Sequence, residues 1–246
     1  MKITRAIENI FSHAVALEQK GGFRNTIYVY GKEIFILNYD HTVLLRFRLR
    51  ESEVSFKNEI SFHANDYDSD QFYEENGKIV FVNEKEGFQR KKSCGIPGIT
   101  FKEVKNIFLR YNQKSKDKEN ESINFPKELL ELLDLKLSHI EFFCEEGNLK
   151  IVQRNIYSGG IIEITEKEEG LLGNKLNIDF FPIAIKTVDF LALFSFQDVL
   201  KFTFFSHGNY VRVDSLNKKK RDMTGFISAC LYDEIIKIKE TESNGR

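Results

Sequence analysis

The sequence predicts an α+β fold: two similar domains, each a meander-rich β-sheet with two helices on one face. Three observations lead to it. Short segments rich in Ile, Val and Phe alternate with polar turns, and Phe alone accounts for 23 of the 246 residues. Such side chains suit a pleated, half-buried surface. Each half opens on apolar residues at helical spacing, Ile3 to Gln19 and Pro126 to Leu137. Between the halves lies Asn112 to Asn124 (NQKSKDKENESIN), nearly all polar or charged and poorly suited to burying a core face.

The elements follow in order. Ile3, Ala6, Ile7, Ile10, Phe11, Ala14 and Val15 give the first helix one apolar face, and Gly21-Gly22 end it. Thr26 to Tyr30 reads as a strand, turned through Gly31-Lys32 into Ile34 to Leu49 (IFILNYDHTVLLRFRL). That stretch is strand, polar corner, strand, because Asn38 and Asp40 favour turns by bonding nearby backbone. Val54 to Ala64 is another strand, and Asn65 to Glu75 is expected to be a short acidic helix capped by Asn65 or Asp66. Lys78 to Asn83 and Phe88 to Ser93 form a hairpin turned at Glu86-Gly87, and Ile99 to Tyr111 is read as the last strand of this half.

The domain bounds are then 1–111, a charged connector 112–124, a second domain 125–240 and a frayed tail 241–246. In the second domain, Pro126 starts a helix carrying Leu129, Leu130, Leu133 and Leu137. Strands are expected at Ile140 to Cys144, Leu149 to Arg154, Gly160 to Thr165 and Leu176 to Phe181, then a helix at Lys186 to Phe196. Strands Val199 to Phe205 and Tyr210 to Ser215, turned at His207-Gly208-Asn209, precede a closing strand from Met223 to Tyr232.

Element order therefore repeats. Gly31 and Gly147 are separated by about 116 residues, and Gly87 and Gly208 by about 121, which suggests two copies of one unit. Units of this kind can join edge to edge, because edge strands present unpaired backbone groups. Repeated between chains, such pairing closes a ring if the rotation permits.

Composition narrows the function classes. Lys and Arg number 36 against 37 Asp and Glu, so nucleic-acid contact would need a local basic patch rather than bulk charge. Cys94, Cys144 and Cys230 lack metal or redox spacing, which fits a reduced intracellular, cytoplasmic protein. The N-terminus has no signal-peptide pattern, and no run approaches the roughly 18 apolar residues of a membrane span. The five His residues are scattered without ligand-pair spacing, and neither a phosphate loop nor a nucleophile elbow appears. Asp66, Asp68 and Asp70 hint at a calcium loop, but Gln71 stands where such a loop needs Gly. No catalytic residue, metal or cofactor is expected.

Several segments resemble the DNA sliding clamps of the proliferating cell nuclear antigen type. The corner Asn38-Tyr39-Asp40-His41-Thr42-Val43-Leu44-Leu45 is similar to that family's Met-Asp-Ser-Ser-His-Val-Ser-Leu, with Val43 and Leu45 coinciding and His41 one place early. Pro126 to Asn148 resembles the start of the second clamp domain, Ile183 to Ala192 the approach to its last inner helix, and Phe226 to Ile235 the closing strand. The resemblance implies a homotrimeric ring around duplex DNA that binds without sequence preference. It also implies that a DNA polymerase and a clamp loader dock through short peptide motifs. The alternative is a clamp-fold interaction or transcription scaffold that does not encircle DNA.

On that resemblance, Arg5, Lys20, Lys127, Lys136 and Lys186 are the candidate DNA contacts, since phosphate contacts carry no sequence information. Read without it, they are ordinary solvated helix faces. The second candidate helix carries Asp66, Asp68, Asp70, Glu74 and Glu75 instead, which works against phosphate. His41, Val43 and Leu44, with Leu231, Tyr232 and Ile235, are the candidate lining of a partner-peptide groove, against a plain core role for Val43, Leu44 and Leu231. The basic runs Arg90-Lys91-Lys92 and Lys218 to Arg221 are read as loop decoration, with a DNA or partner contact as the minority reading.

Overall fold

A computed structural model describes residues 7–12, 14, 25–38, 40–50, 56–64, 67, 71–75, 78–83, 88–93, 99–134, 136–154, 161–164, 176–194, 198–216 and 222–228. Helix α1 is seen over residues 7–12, with residue 14 also helical. It buries Ile7, Ile10, Phe11 and Ala14 while Glu8 and Asn9 face out, as the sequence spacing requires.

The first meander is β1 (Thr26–Gly31), β2 (Glu33–Leu37) and β3 (Val43–Arg48), with β4 (Phe56–His63) on the far side of β1. Gly31 takes φ +59° at the tight turn, a conformation open to Gly at no steric cost. Next come β5 (Gln71–Glu75), β6 (Lys78–Asn83) and β7 (Phe88–Ser93), a three-stranded antiparallel sheet. The acidic helix expected over Asn65 to Glu75 is therefore corrected: residues 71–75 form a strand paired to β6, Gln71 opposite Val82 through Glu75 opposite Lys78. Sheet pairing here overrides a local composition that suits a helix.

The strand expected at Ile99 to Tyr111 is helix α2 (Phe101–Lys114). Its buried residues Phe101, Val104, Ile107, Phe108 and Tyr111 recur at helical spacing. Thr100 and Glu103 form a capping box: the Thr100 hydroxyl accepts from the Glu103 amide, and the Glu103 carboxylate accepts from the Thr100 amide. The polar segment 112–124 is likewise not plain connector, since α2 runs through Lys114 and β8 covers Asn120–Pro126. Ile123 in that strand is buried against the core.

The helix expected after Pro126 is a short 3-10 segment, Lys127–Leu132. Strands β9 (His139–Glu145), β10 (Asn148–Arg154) and β11 (Ile161–Ile164) form a second meander, with β12 (Ile183–Lys186) on the far side of β9. Glu146 and Gly147, both at positive φ, make the two-residue turn whose twist suits a hairpin. Leu176 to Phe181 is an irregular strap rather than a strand. Its residues alternate buried and exposed, but its amides bond singly, Leu176 N–H to Gly147 O and Phe181 N–H to Gly208 O. Helix α3 spans Thr187–Leu193, shorter than expected, followed by β13 (Val199–Phe205), β14 (Val211–Ser215) and β15 (Asp222–Ile227).

Sheet order makes the internal repeat explicit. The run β3-β2-β1-β4 in the first half matches β11-β10-β9-β12 in the second, and the meander β5-β6-β7 matches β13-β14-β15. Gly31 and Gly147 occupy equivalent hairpins in this scheme. Gly87 and Gly208 do not: Gly208 lies between the first two strands of its meander, and Gly87 between the last two of its own. The counterpart of Gly208 by topology is Gly77.

An eight-stranded sheet, β4-β1-β2-β3-β15-β14-β13-β8, runs through both halves. One face carries Ile27, Ile34, Val43, Leu45, Phe202 and Val213 into the larger core with α1, α3, β9, β10 and β12. The opposite face carries Tyr28, Phe35, Leu37, Leu44 and Phe226 into a smaller core closed by α2.

Candidate functional site

The two halves meet where β3 pairs antiparallel with β15, from Val43 opposite Ile227 to Arg48 opposite Asp222. The Ser228 N–H extends the ladder to Thr42 O at 2.8 Å. Gly225 allows the close approach, since a Cβ there would collide with Leu45 Cδ2 and stand 3.0 Å from Leu44 O. The topological equivalents of these seam strands are β11 and β7, and each has one neighbour only among the described strands. Among the described strands there is thus one closed seam, and the equivalents of its two strands lie at separate sheet edges.

At the seam's inner end sits the corner 38–42. Asn38 Oδ1 accepts from the Thr42 and Val43 amides, both at 2.8 Å, while Nδ2 donates to Thr42 Oγ1 at 3.0 Å and to Asp189 Oδ2 at 2.8 Å. His41 takes φ +55° within this corner. Asp189 belongs to α3, so the bond fastens a corner of the first half to a helix of the second. Beside it Lys186 Nζ lies 2.5 Å from Asp40 Oδ2. Burial pushes the Asp189 carboxyl up to about 6; the Asn38 bond and Lys186 act against that rise, and Asp40 adds to it. His139, beside this group, is held below its usual value by burial and by Lys186, with Asp40 opposing.

At the outer side, α2 lies over the seam. Phe108 packs edge-on to Phe35 at 5.6 Å and to Phe226 at 5.2 Å, and Tyr111 meets Phe226 and Tyr210. Arg46 of β3 stacks its guanidinium over Phe108 at 4.5 Å, and Lys105 of α2 pairs with Glu33 of β2. One helix therefore spans strands from both halves.

The sequence-derived candidates are scattered over this frame. Lys127 and Lys136 are exposed, Lys127 with Asp198 at 3.9 Å. Lys186 is half-buried in its ion pair with Asp40. Arg5 and Lys20 lie outside the described residues, as do Leu231, Tyr232 and Ile235. Val43 and Leu44 are both buried and point to opposite faces of the sheet, Val43 into the larger core and Leu44 beneath α2. They do not line one open groove, because successive strand residues alternate sides. Asn38, Asp40 and Asp189 escaped sequence reasoning as a group, since only the fold brings them together. Among the described residues no cluster of His, Cys, Asp and Glu suited to a metal occurs, and no helix is long and apolar enough to cross a membrane.

No protein-family model and no curated protein sequence matches the chain. Solved structures do. The chain is similar to the DNA polymerase III beta chain of Streptococcus pneumoniae, with TM-score 0.60 and 11% identity over 93% of this chain and 63% of that one. A Helicobacter pylori beta clamp bound to a DNA ligase peptide gives 0.56 and 12% over 92% and 63%. A putative DNA polymerase III beta subunit from Eubacterium rectale gives 0.54 and 13% over 89% and 63%. The chain spans somewhat under two thirds of the length of each. It has the sliding-clamp fold, an α+β architecture, at low sequence identity.

Proposed function

We propose that this chain is the subunit of a sliding clamp: a closed ring of copies, three in the simplest case, that encircles duplex DNA and tethers replication proteins to it. The observation that carries the reading is the seam. β3·β15 joins two halves of like topology, and β7 and β11 offer the same two edges for joining one chain to the next. The mechanism is topological and asks for no bond chemistry. Exposed Lys127 and Lys136, together with Arg5 and Lys20, would hold the duplex through phosphate alone and leave it free to slide, while Lys186 would contribute only if released from Asp40. A polymerase and a clamp loader would dock by short peptides near the corner and closing strand, around His41, Leu231, Tyr232 and Ile235, with Val43 and Leu44 packed beneath as core, in an intracellular, DNA-associated setting. The Helicobacter clamp's complex with a ligase peptide supports peptide docking by analogy of fold.

A second reading, a clamp-fold scaffold that does not encircle DNA, is favoured by two observations. Lys186 is neutralised by Asp40, and Leu44 is sealed under α2. Retention on DNA separates the two. Protein assembled on a covalently closed circle should stay bound through a high-salt wash and be released when a restriction enzyme linearises the circle. Equal loss from circle and line at the same salt would remove encirclement and leave the scaffold.

A further inference from the structure

The face of the large sheet that α2 shields changes character where the helix ends. Under α2 its floor is aromatic, with Tyr28, Phe35 and Phe226. Beyond the C-terminal cap Ser115, on β14, β13 and β8, the same face is polar. Arg212, Thr203 and Ser122 form one cross-strand row, and Asp214 and Lys201 are partners in the next. Residues between them on each strand, such as Val213, Phe202 and Ile123, turn into the larger core, so the polar set is confined to the outer side. The result is a groove of about 410 Å³ walled by the end of α2 and by Leu216, which is 47% exposed.

The charges within the groove are unequally satisfied. Asp214 accepts from Arg212 Nε at 2.7 Å and Nη2 at 3.0 Å, and from the Thr224 hydroxyl at 2.8 Å. Arg212 Nη1 reaches Asn112 at 3.4 Å. Ser122 and Thr203 bond each other at 2.9 Å, and the Ser115 hydroxyl donates to Tyr111 O. Lys201 is the exception: among the described residues it has no acidic group within ion-pair distance. A half-buried ammonium over a hydroxyl-rich floor, next to an apolar rim, is arranged to receive an anion carried by a chain with an apolar neighbour.

We propose that this groove is a docking site for a short acidic peptide segment of a partner protein. A Glu or Asp carboxylate of that segment sits on Lys201, with an apolar residue against Leu216. Peptide is favoured over nucleic acid on charge and shape. Two cations against Asp214 leave a net charge of one, too little to hold a backbone bearing a charge every ~1.7 Å of duplex axis. The site also lies on the face opposite α1 and α3 and next to the end of α2. The proposal goes beyond the ring reading and does not depend on it, because a single chain carries the whole groove.

The test selects a displayed library of random twelve-residue peptides on the full-length chain, then measures each enriched peptide by fluorescence anisotropy. Wild type is compared with Lys201→Glu and with Ser122→Tyr, which fills the groove without changing its charge. Circular dichroism melts of both variants establish that they remain folded. The expected result is enrichment of peptides with Asp or Glu beside an apolar residue. Their affinity should fall about tenfold or more in each variant, and equally when the peptide's Glu is replaced by Gln. Enriched peptides that lack acids, that bind Lys201→Glu as well as wild type, or that a short DNA duplex displaces from the groove would overturn the proposal. So would the absence of any enrichment. A monomeric chain that still binds the acidic peptides would sink the ring and leave this site standing.

Discussion

The two four-stranded meanders have the same order and opposite fates. In the first half, β3-β2-β1-β4 continues through β3 into β15 and so into the eight-stranded sheet. In the second, β11-β10-β9-β12 ends at β11 among the described strands. The first is also covered on its outer face by α2, whose aromatic residues reach across to Phe226 of the second half. The difference teaches how a repeated unit is used. One copy of the edge is paired inside the chain, capped and fastened, and on the proposed ring the other would be completed by a second chain.

Breaking the closed seam should have the largest effect. Phe226 is fully buried and meets Phe108, Tyr111 and Tyr210. Phe226→Ala should cost about 3–5 kcal/mol in a urea unfolding series, through lost burial and a residual cavity at the junction of the halves. A cost within ~0.5 kcal/mol of zero would mean that the seam does not depend on this aromatic cluster.

Asp189 tests the seam from the inner side, because it fastens the corner between β2 and β3 to α3. Its carboxyl is raised to about 6 in the native chain from an ordinary value of 3.8. Between those values the unfolded chain gives up its proton first, so the native state binds more protons and stability falls as pH rises. Two pKa units correspond to about 3 kcal/mol. Asp189→Asn keeps an acceptor for Asn38 and should abolish that slope, raising stability at pH 7 by up to about 3 kcal/mol relative to wild type. Unchanged pH dependence between pH 4 and 6 in thermal melts of the two proteins would contradict the role given to burial.

The smallest expected effect is at the start of α2. Thr100→Ala removes one half of the capping box and should destabilise by about 1 kcal/mol, read from the same urea series. If α2 merely lay on the surface, the loss would appear as local fraying by amide hydrogen exchange without a shift of the global midpoint.

Much of this arrangement was legible where the signal is local. The turn at Gly31, the hairpin at Glu146-Gly147 and the polar corner after Leu37 each announce themselves through residues that tolerate positive φ or bond nearby backbone. The strand read over Val199 to Phe205 coincides with β13. Other parts were legible but misread. Phe101, Val104, Ile107, Phe108 and Tyr111, behind Thr100-x-x-Glu103, carry a helix pattern that their strand-favouring side chains masked. Asn120 to Asn124 looked like solvated connector because an edge strand buries only its alternate residues, here Ile123. What no local reading supplies is the meeting of Asn38 and Asp40 with Lys186 and Asp189. It exists only because the two halves fold against each other, and it turns an expected DNA-contacting lysine into one side of an ion pair.

The open edges decide the central claim. Light scattering of the purified chain across a dilution series measures directly whether copies of the chain associate into a ring-sized assembly. A ring of three 28.7 kDa chains has a mass of about 86 kDa, and the account predicts that value at high concentration, falling without intermediates larger than the ring on dilution. A mass of one chain at every concentration would contradict it.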